Sequence, residues 1–219
     1  MYAESEEYQT RVYDANMLIS NALKQYNKPY LSFSGGKDST VMMGLVLLQM
    51  PDIMVLHWDY GRFYIPDALR GEIKANAKAM GVDLRIETSP KYEELGRNAV
   101  NVLGNEMMKK LIPSLAEEGY DCVFVGLRSE ESAKRKRRIS AERSITIINE
   151  VWPVRAWTWM DIWAYIVAND IPYLSHYDVY GPMVGWNLAR FTTLFDPEFD
   201  RLGCSSVDGI LSWRFRNVK

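Results

Sequence analysis

Residues Ser32-Phe33-Ser34-Gly35-Gly36-Lys37-Asp38-Ser39-Thr40 constrain this chain more than any other stretch. They stand between a short apolar run, Tyr30 to Phe33, and a longer one, Asp38 to Gln49. That order reads as a strand turning into a mostly buried helix. A strand that feeds a helix through a glycine turn is a building block of parallel α/β sheets, whose ligands bind beyond the carboxyl ends of the strands. Gly35 and Gly36 let successive backbone N–H groups converge on an anion. The helix that follows adds its positive N-terminal end. Ser34, Ser39 and Thr40 supply hydroxyl donors, Lys37 a full charge, and Ser32 closes the strand into the same cradle. Asp38 suits a phosphate site less than it suits Mg²⁺, directly or through water. The G-x-x-x-x-G-K-[ST] spacing of a Walker loop is absent.

The rest of the chain repeats the strand–helix alternation. Val12, Ala15, Leu18, Ile19, Ala22 and Leu23 recur at three and four, predicting an amphipathic helix over 6–26 that Asn27-Lys28-Pro29 stops. Strands are expected at 53–58, 82–87 and 122–125, and helices at 66–80, 91–118 with a break near Pro113, and 158–169. Strands separated by helices of ten or more residues imply a doubly wound parallel sheet of the Rossmann-like α/β class, with right-handed crossovers. Residues 1–27 are then an N-terminal helix packing on the domain, 28–173 the nucleotide-binding domain, and 174–219, rich in Gly, Pro and aromatics, an irregular segment covering the site.

Composition narrows the class. With 219 residues, the chain buries roughly 70% of its unfolded surface and needs no disulfide or metal staple. The balance of 26 basic against 28 acidic residues gives no global drive toward nucleic acid or an anionic membrane. Two cysteines, Cys122 and Cys204, exclude a disulfide scaffold and a four-cysteine zinc or iron–sulfur site from one chain, and a reducing cytoplasm is the expected compartment. The acidic start is no signal peptide, and the longest uncharged run, Ser39 to Pro51, is too short for a membrane span.

Ser34-Gly35-Gly36-Lys37-Asp38-Ser39 resembles the PP-loop of N-type ATP pyrophosphatases. Four further segments are similar to the PAPS (phosphoadenylyl sulfate) reductase-like branch, which shares the adenine nucleotide alpha hydrolase-like fold. They are Trp58-Asp59-Tyr60-Gly61 with Phe63 to Asp67; Gly126-Leu127-Arg128-Ser129-Glu130-Glu131-Ser132-Ala133-Lys134-Arg135; Pro153 through Trp157-Thr158, Asp161 and Trp163 to Tyr177-Asp178; and Arg201-Leu202-Gly203-Cys204. The resemblance spans about residues 28–206 and implies binding of an adenine nucleotide. Lys37, Asp38 and Arg128 are the expected catalytic residues. Ser32, Ser34, Gly35, Gly36, Ser39, Thr40, His57, Asp59, Gly126 and Arg135 join them as expected nucleotide contacts, with Asp38 as the Mg²⁺ partner. Arg128 or Arg135 would clamp the α-phosphate or an acceptor anion, and the strand end from Leu56 to Asp59 would read the adenine edge.

The chain departs from the reductases of that branch. It lacks their Glu-Cys-Gly-Leu-His tail, and Cys204-Ser205-Ser206-Val207 lacks the second cysteine of a C-x-x-C pair. The intact loop is similar to that of the ATP-using members. The expected function is adenylation of a small oxyanion, or of a group destined for sulfur transfer, with ATP, Mg²⁺ and pyrophosphate release and without an iron–sulfur cluster. Two rivals stay open: a sulfonucleotide reductase or binder relying on Cys204, and a nucleotide-binding subunit active only with a partner protein. A homodimer is a further expectation, as relatives are often dimers.

Other features have plainer readings. Lys134-Arg135-Lys136-Arg137-Arg138 is a solvated loop, part of the anion site, or a contact for a nucleic-acid backbone. Cys122 is expected to be buried packing; Cys204, with Arg201 nearby to lower its thiol, is left open between an inert thiol and a sulfur carrier. His57 is expected to be packed or hydrogen-bonded. His176, in a polar loop, carries no signal. Trp152, Trp157, Trp159 and Trp163 are expected to pack against the sheet edge rather than to stack bases.

Overall fold

A computed structural model describes residues 2–142 and 144–191, without the side chains of Arg97, Val100, Asn101 and Val184. Five strands form its sheet: β1 (Pro29–Ser32), β2 (Met54–Asp59), β3 (Leu84–Thr88), β4 (Cys122–Val125) and β5 (Asn149–Val151). The helices are α1 (Glu6–Gln25), α2 (Lys37–Leu47), α3 (Asp67–Ala79), α4 (Pro90–Leu95), α5 (Leu103–Glu106), α6 (Ile112–Glu117), α7 (Ala133–Ser140), α8 (Trp159–Ala168) and α9 (His176–Val184). The strand order is β3-β2-β1-β4-β5 and every pairing is parallel. The doubly wound α/β architecture expected from the alternation is therefore present. Strand order reverses between β1 and β4, which is where such sheets open a ligand crevice.

The central strands carry near-continuous apolar runs because both faces are covered. Leu31, Val55 and Phe124 join Val41, Met42, Met43 and Ile73 in the main core, whereas Tyr30, Leu56 and Val123 point to a second cluster with Ile112 and Leu115. Helix α1 buries Tyr8, Ala15, Ile19 and Ala22, the stripe its spacing dictates. Asp161 holds this helix in place. It closes a capping box with Thr158 at the start of α8, accepts a hydrogen bond from Tyr2 at 2.8 Å, and pairs with Arg11.

Four expectations need correction. The break in 91–118 falls at Gly96 (φ +52°), not at Pro113. Pro113 sits in the first turn of α6, where its missing N–H has no obligatory partner, after a π-helical turn over Met107–Leu111. Strand β5 carries no strand pattern in the sequence because Asn149-Glu150-Val151 is short and polar, and only pairing with β4 makes it a strand. Residues 176–184 are helical rather than irregular, with Pro182 inside the helix. The basic run Lys134–Arg138 lies on α7 rather than in a loop. Trp152 and Trp157 are buried, and Trp163 packs edge-on against Tyr173, Tyr177 and Trp186. Cys122 is buried in β4, where burial pushes its thiol up to about 12. Cys204 and Arg201 lie outside the described residues.

Candidate functional site

The turn from β1 into α2 and the end of β4 meet at the reversal of strand order. Gly35 has φ +86°, and a Cβ there would come within 2.5 Å of Ile73 Cγ1 on α3, so only glycine fits. Gly36 N donates to Ser34 Oγ at 3.3 Å. Ser39 Oγ accepts from Ser34 N at 3.2 Å and donates to Gly36 O at 2.9 Å, and Thr40 Oγ1 donates to the same carbonyl at 3.1 Å. These bonds brace the turn from inside and leave Ser34 exposed at its mouth.

Gly126 ends β4 against this turn. A Cβ on it would meet Ser39 N at 2.8 Å and Asp38 C and O at 2.9 Å, all backbone atoms that cannot swing aside. Gly126→Ala is therefore expected to cost about 1–3 kcal/mol. Urea denaturation checks this, and an unchanged midpoint would show that the two backbones are free to separate.

Lys37 is 1% exposed, and its side chain does not point into open space. Its Nζ donates to Ala189 O at 2.9 Å and lies 5.3 Å from the Tyr177 ring centroid. The Tyr177 hydroxyl oxygen accepts from Lys37 N at 3.1 Å and from Phe191 N at 3.2 Å. Oxygens of the segment after α8 thus cap the donors that the turn presents. Burial pushes the Lys37 ammonium below its usual range, opposed by the neighbouring Asp38 carboxylate, 3.8 Å away.

Arg128, buried at the end of the β4 loop, donates from Nε to Asp38 Oδ1 at 2.7 Å, and from Nη1 to Glu130 Oε2 at 2.7 Å and Trp157 O at 3.3 Å. Lys37 and Arg128 hold the Asp38 carboxyl below its usual range against the opposing effect of burial. Arg135 on α7 pairs with Glu131, whose other oxygen faces Arg190 at 3.3 Å. Lys37, Asp38, Arg128 and Arg135 are therefore gathered in one charged region, with Arg128 aimed at carboxylates rather than at open space.

The remaining expected contacts are placed less directly. Ser32 is the last residue of β1, in register with Leu56 and Val125. His57 donates from Nδ1 to Phe33 O at 2.9 Å, which ties β2 to the turn and fits its packed reading. Asp59 is bound by the Arg70 guanidinium at 2.6–3.1 Å and by Gly61 N at 2.8 Å, so its carboxylate organises the chain after β2. Asp59 thereby braces the chain that follows β2. Ala189 and Arg190 have no local signal, and Tyr177 has only its place at the end of the Pro153-to-Asp178 segment. Glu131 has one, three residues after Arg128, where it caps the Arg128 N–H at 3.2 Å.

His176, which carries no sequence signal, is 7% exposed, and among the described residues neither ring nitrogen meets a hydrogen-bond partner. Burial first, and Lys37 second, push it down to about 4. His57 is lowered too, mainly by burial. Both histidines are therefore neutral in the fold at pH values where the unfolded chain takes up protons, near 6.5 and below. Stability is expected to be fully present above pH 6.5 and to fall as pH drops toward 4. His176 alone accounts for about 2 kcal/mol by pH 5. His176→Phe should flatten that part of a urea-melt pH profile, and an unchanged slope would refute the assignment.

Residues 28–208 match the family model described as the phosphoadenosine phosphosulfate reductase domain. The chain belongs to that family. Sulfate adenylyltransferase subunit 2 from Magnetococcus marinus is 28% identical to it over 194 residues, covering 73% of this chain and 64% of that protein. The protein of the same name from Caulobacter sp. is 26% identical, covering 92% and 76%. The one from Mycobacterium bovis is 29% identical, covering 75% and 62%. The chain thus spans less than two thirds of two of these three relatives. Among solved structures, the PAPS reductase of Candida auris in complex with phosphate superposes with a TM-score of 0.56 at 16% identity, covering 80% of this chain and 92% of that one. The U34-tRNA thiolase NcsA of Methanococcus maripaludis, solved with its [4Fe-4S] cluster, gives 0.56 at 14%, covering 76% and 67%. At those identities the likeness concerns the fold, here an all-parallel sheet of order β3-β2-β1-β4-β5. Among the described residues no helix is long and apolar enough to cross a membrane.

Proposed function

We propose that this chain binds ATP at the β1–α2 turn and adenylates a small oxyanion, sulfate in the first instance, releasing pyrophosphate. The observation that carries the reading is the turn itself: Gly36, Lys37 and the start of α2 present backbone donors and an ammonium group at the reversal of strand order. The relatives named sulfate adenylyltransferase subunit 2 support sulfate as acceptor, and the word subunit supports a protein partner.

In this reading an acceptor oxygen attacks the α-phosphorus, the bond to the bridging oxygen of the β-phosphate breaks, and pyrophosphate leaves with its electron pair. Charge gathers on the leaving oxygens, so fixed donors there lower the barrier most. Lys37 Nζ and the turn amides hold pyrophosphate after exchanging Ala189 O and the Tyr177 hydroxyl for phosphate oxygens. Arg128 holds Asp38 in place, and Arg135 provides charge on the acceptor side.

Among the described residues no group of three or more His, Cys, Asp or Glu is placed to hold a metal. In this reading Mg²⁺ is carried mainly by nucleotide phosphates, with Asp38 Oδ2 as the protein's contribution, since Oδ1 is taken by Arg128. Bound there, Mg²⁺ would supply charge neutralisation of the triphosphate.

The test is a thermal-shift series with ATP, PAPS, APS and AMP, with and without Mg²⁺, joined to sulfate-dependent ATP–pyrophosphate exchange. A ligand at 100 times its Kd adds about 2.7 kcal/mol, a shift of several degrees. Stabilisation by ATP with Mg²⁺ supports the reading, and exchange without any added protein shows that the chain acts alone. Stabilisation by PAPS and not by ATP overturns it in favour of a sulfonucleotide binder.

A further inference from the structure

His176 opens α9 and lies under the same segment that caps the Lys37 donors. Its ring centroid is 4.1 Å from that of Tyr177, 5.5 Å from Phe191 and 6.3 Å from Tyr180. Tyr177 in turn contacts Lys37 twice, through its ring and through its hydroxyl. The imidazole is therefore part of the wall of the phosphate cradle rather than of the distant core.

The neighbouring donors of that wall have partners. Lys37 N and Phe191 N share the Tyr177 hydroxyl, Lys37 Nζ has Ala189 O, and Arg190 Nη1 has Glu131 O at 3.3 Å. Among the described residues His176 Nδ1 and Nε2 meet no hydrogen-bond partner, although the ring is more than nine-tenths buried. Buried polar atoms without partners are rare in folded proteins, and each calls for a cause. Simple packing is a poor cause here, because leucine or phenylalanine would fill the space without stranding a donor and an acceptor.

We propose that His176 is a ligand-binding residue of the cradle, donating an imidazole N–H to an oxygen of the terminal phosphates of the bound nucleotide. The proposal rests on the reading of the turn as an ATP site and adds a residue to it. The same polyphosphate oxygens that replace the Tyr177 hydroxyl and Ala189 O at Lys37 also supply the acceptor that the imidazole lacks. A neutral imidazole beside a buried ammonium suits this place. It adds a directional donor without a second buried positive charge, and it lies against the Tyr177 ring at a 36° tilt.

The chain has two histidines, so the test is direct. Full-length protein labelled with [¹⁵N]histidine is titrated with inorganic pyrophosphate and with ATP, and His176→Gln assigns the resonances. The imidazole ¹⁵N signals of His176 are expected to move on addition of pyrophosphate, while those of His57, already bonded to Phe33 O, stay. His176→Phe is expected to weaken pyrophosphate binding by about 10- to 100-fold, the worth of a hydrogen bond to a charged group, with His176→Asn recovering part of it. If pyrophosphate binds in a Lys37-dependent way and the His176 signals do not move, this proposal falls and the ATP site stands. If neither pyrophosphate nor ATP binds the wild-type chain, the ATP site falls and takes this proposal with it. Should the phenylalanine variant fail to fold, the wild-type titration decides alone.

Discussion

Lys37→Met is expected to lower ATP–pyrophosphate exchange by about 100- to 1,000-fold, the usual loss when one donor to a developing oxyanion is removed. The same change should leave stability level or higher. Lys37 is buried with a neutral carbonyl 2.9 Å from its Nζ, a cation–π neighbour at 5.3 Å, and a carboxylate no nearer than 3.8 Å. Its ammonium is pushed below the usual range by desolvation, which means that the fold resists the charge it holds. Methionine has nearly the same reach and no charge to desolvate. Exchange assays and urea melts on one preparation check both halves. Exchange within threefold of wild type would remove Lys37 from the chemistry, and a large loss of stability would show the ammonium to be structural.

Arg128→Ala should have the opposite signature: a stability loss of about 3–5 kcal/mol, the range found when one partner of a buried ion pair is deleted. The guanidinium side chain is 3% exposed and spans Asp38, Glu130 and the Trp157 carbonyl, so it ties the start of α2 to the start of α8. Its removal leaves Asp38, with a side chain 13% exposed, without its closest cation. Asp38→Asn added to Arg128→Ala should recover part of the loss, because the stranded charge is then gone. Arg128→Lys should not, since an ammonium cannot reach Asp38 and Glu130 from one planar fork. Denaturation of the single and double variants tests this by the coupling between the two positions. Additive losses would mean that the two residues act independently.

The two variants separate two kinds of residue that the sequence places side by side in expectation. Lys37 and Arg128 both stood out as catalytic candidates from contiguous motifs. The structure assigns Arg128 a bracing position with three protein acceptors, and leaves Lys37 with donors whose present partners are exchangeable oxygens. Asp59, an expected nucleotide contact, also secures Arg70 and Gly61. Motif reading finds charged residues near a strand end, but it cannot tell a residue that faces the ligand from one that holds the wall.

The sequence by itself determined the strand–helix alternation, the parallel α/β class and the position of the turn, because each rests on short-range physics. Side-chain period, glycine's access to φ +86° at Gly35 and the dipole of the next helix all act within a few residues. It also carried the capping of α8, since Thr158 and Asp161 are three apart. Only the tertiary structure decided what meets the turn. Tyr177 lies 140 residues from Lys37 and Ala189 lies 152. His176 looks like any loop residue until the fold buries it there. Strand β5 likewise exists because β4 lends it hydrogen bonds. Such contacts depend on where packing brings distant segments together, and no local pattern of residues encodes that distance.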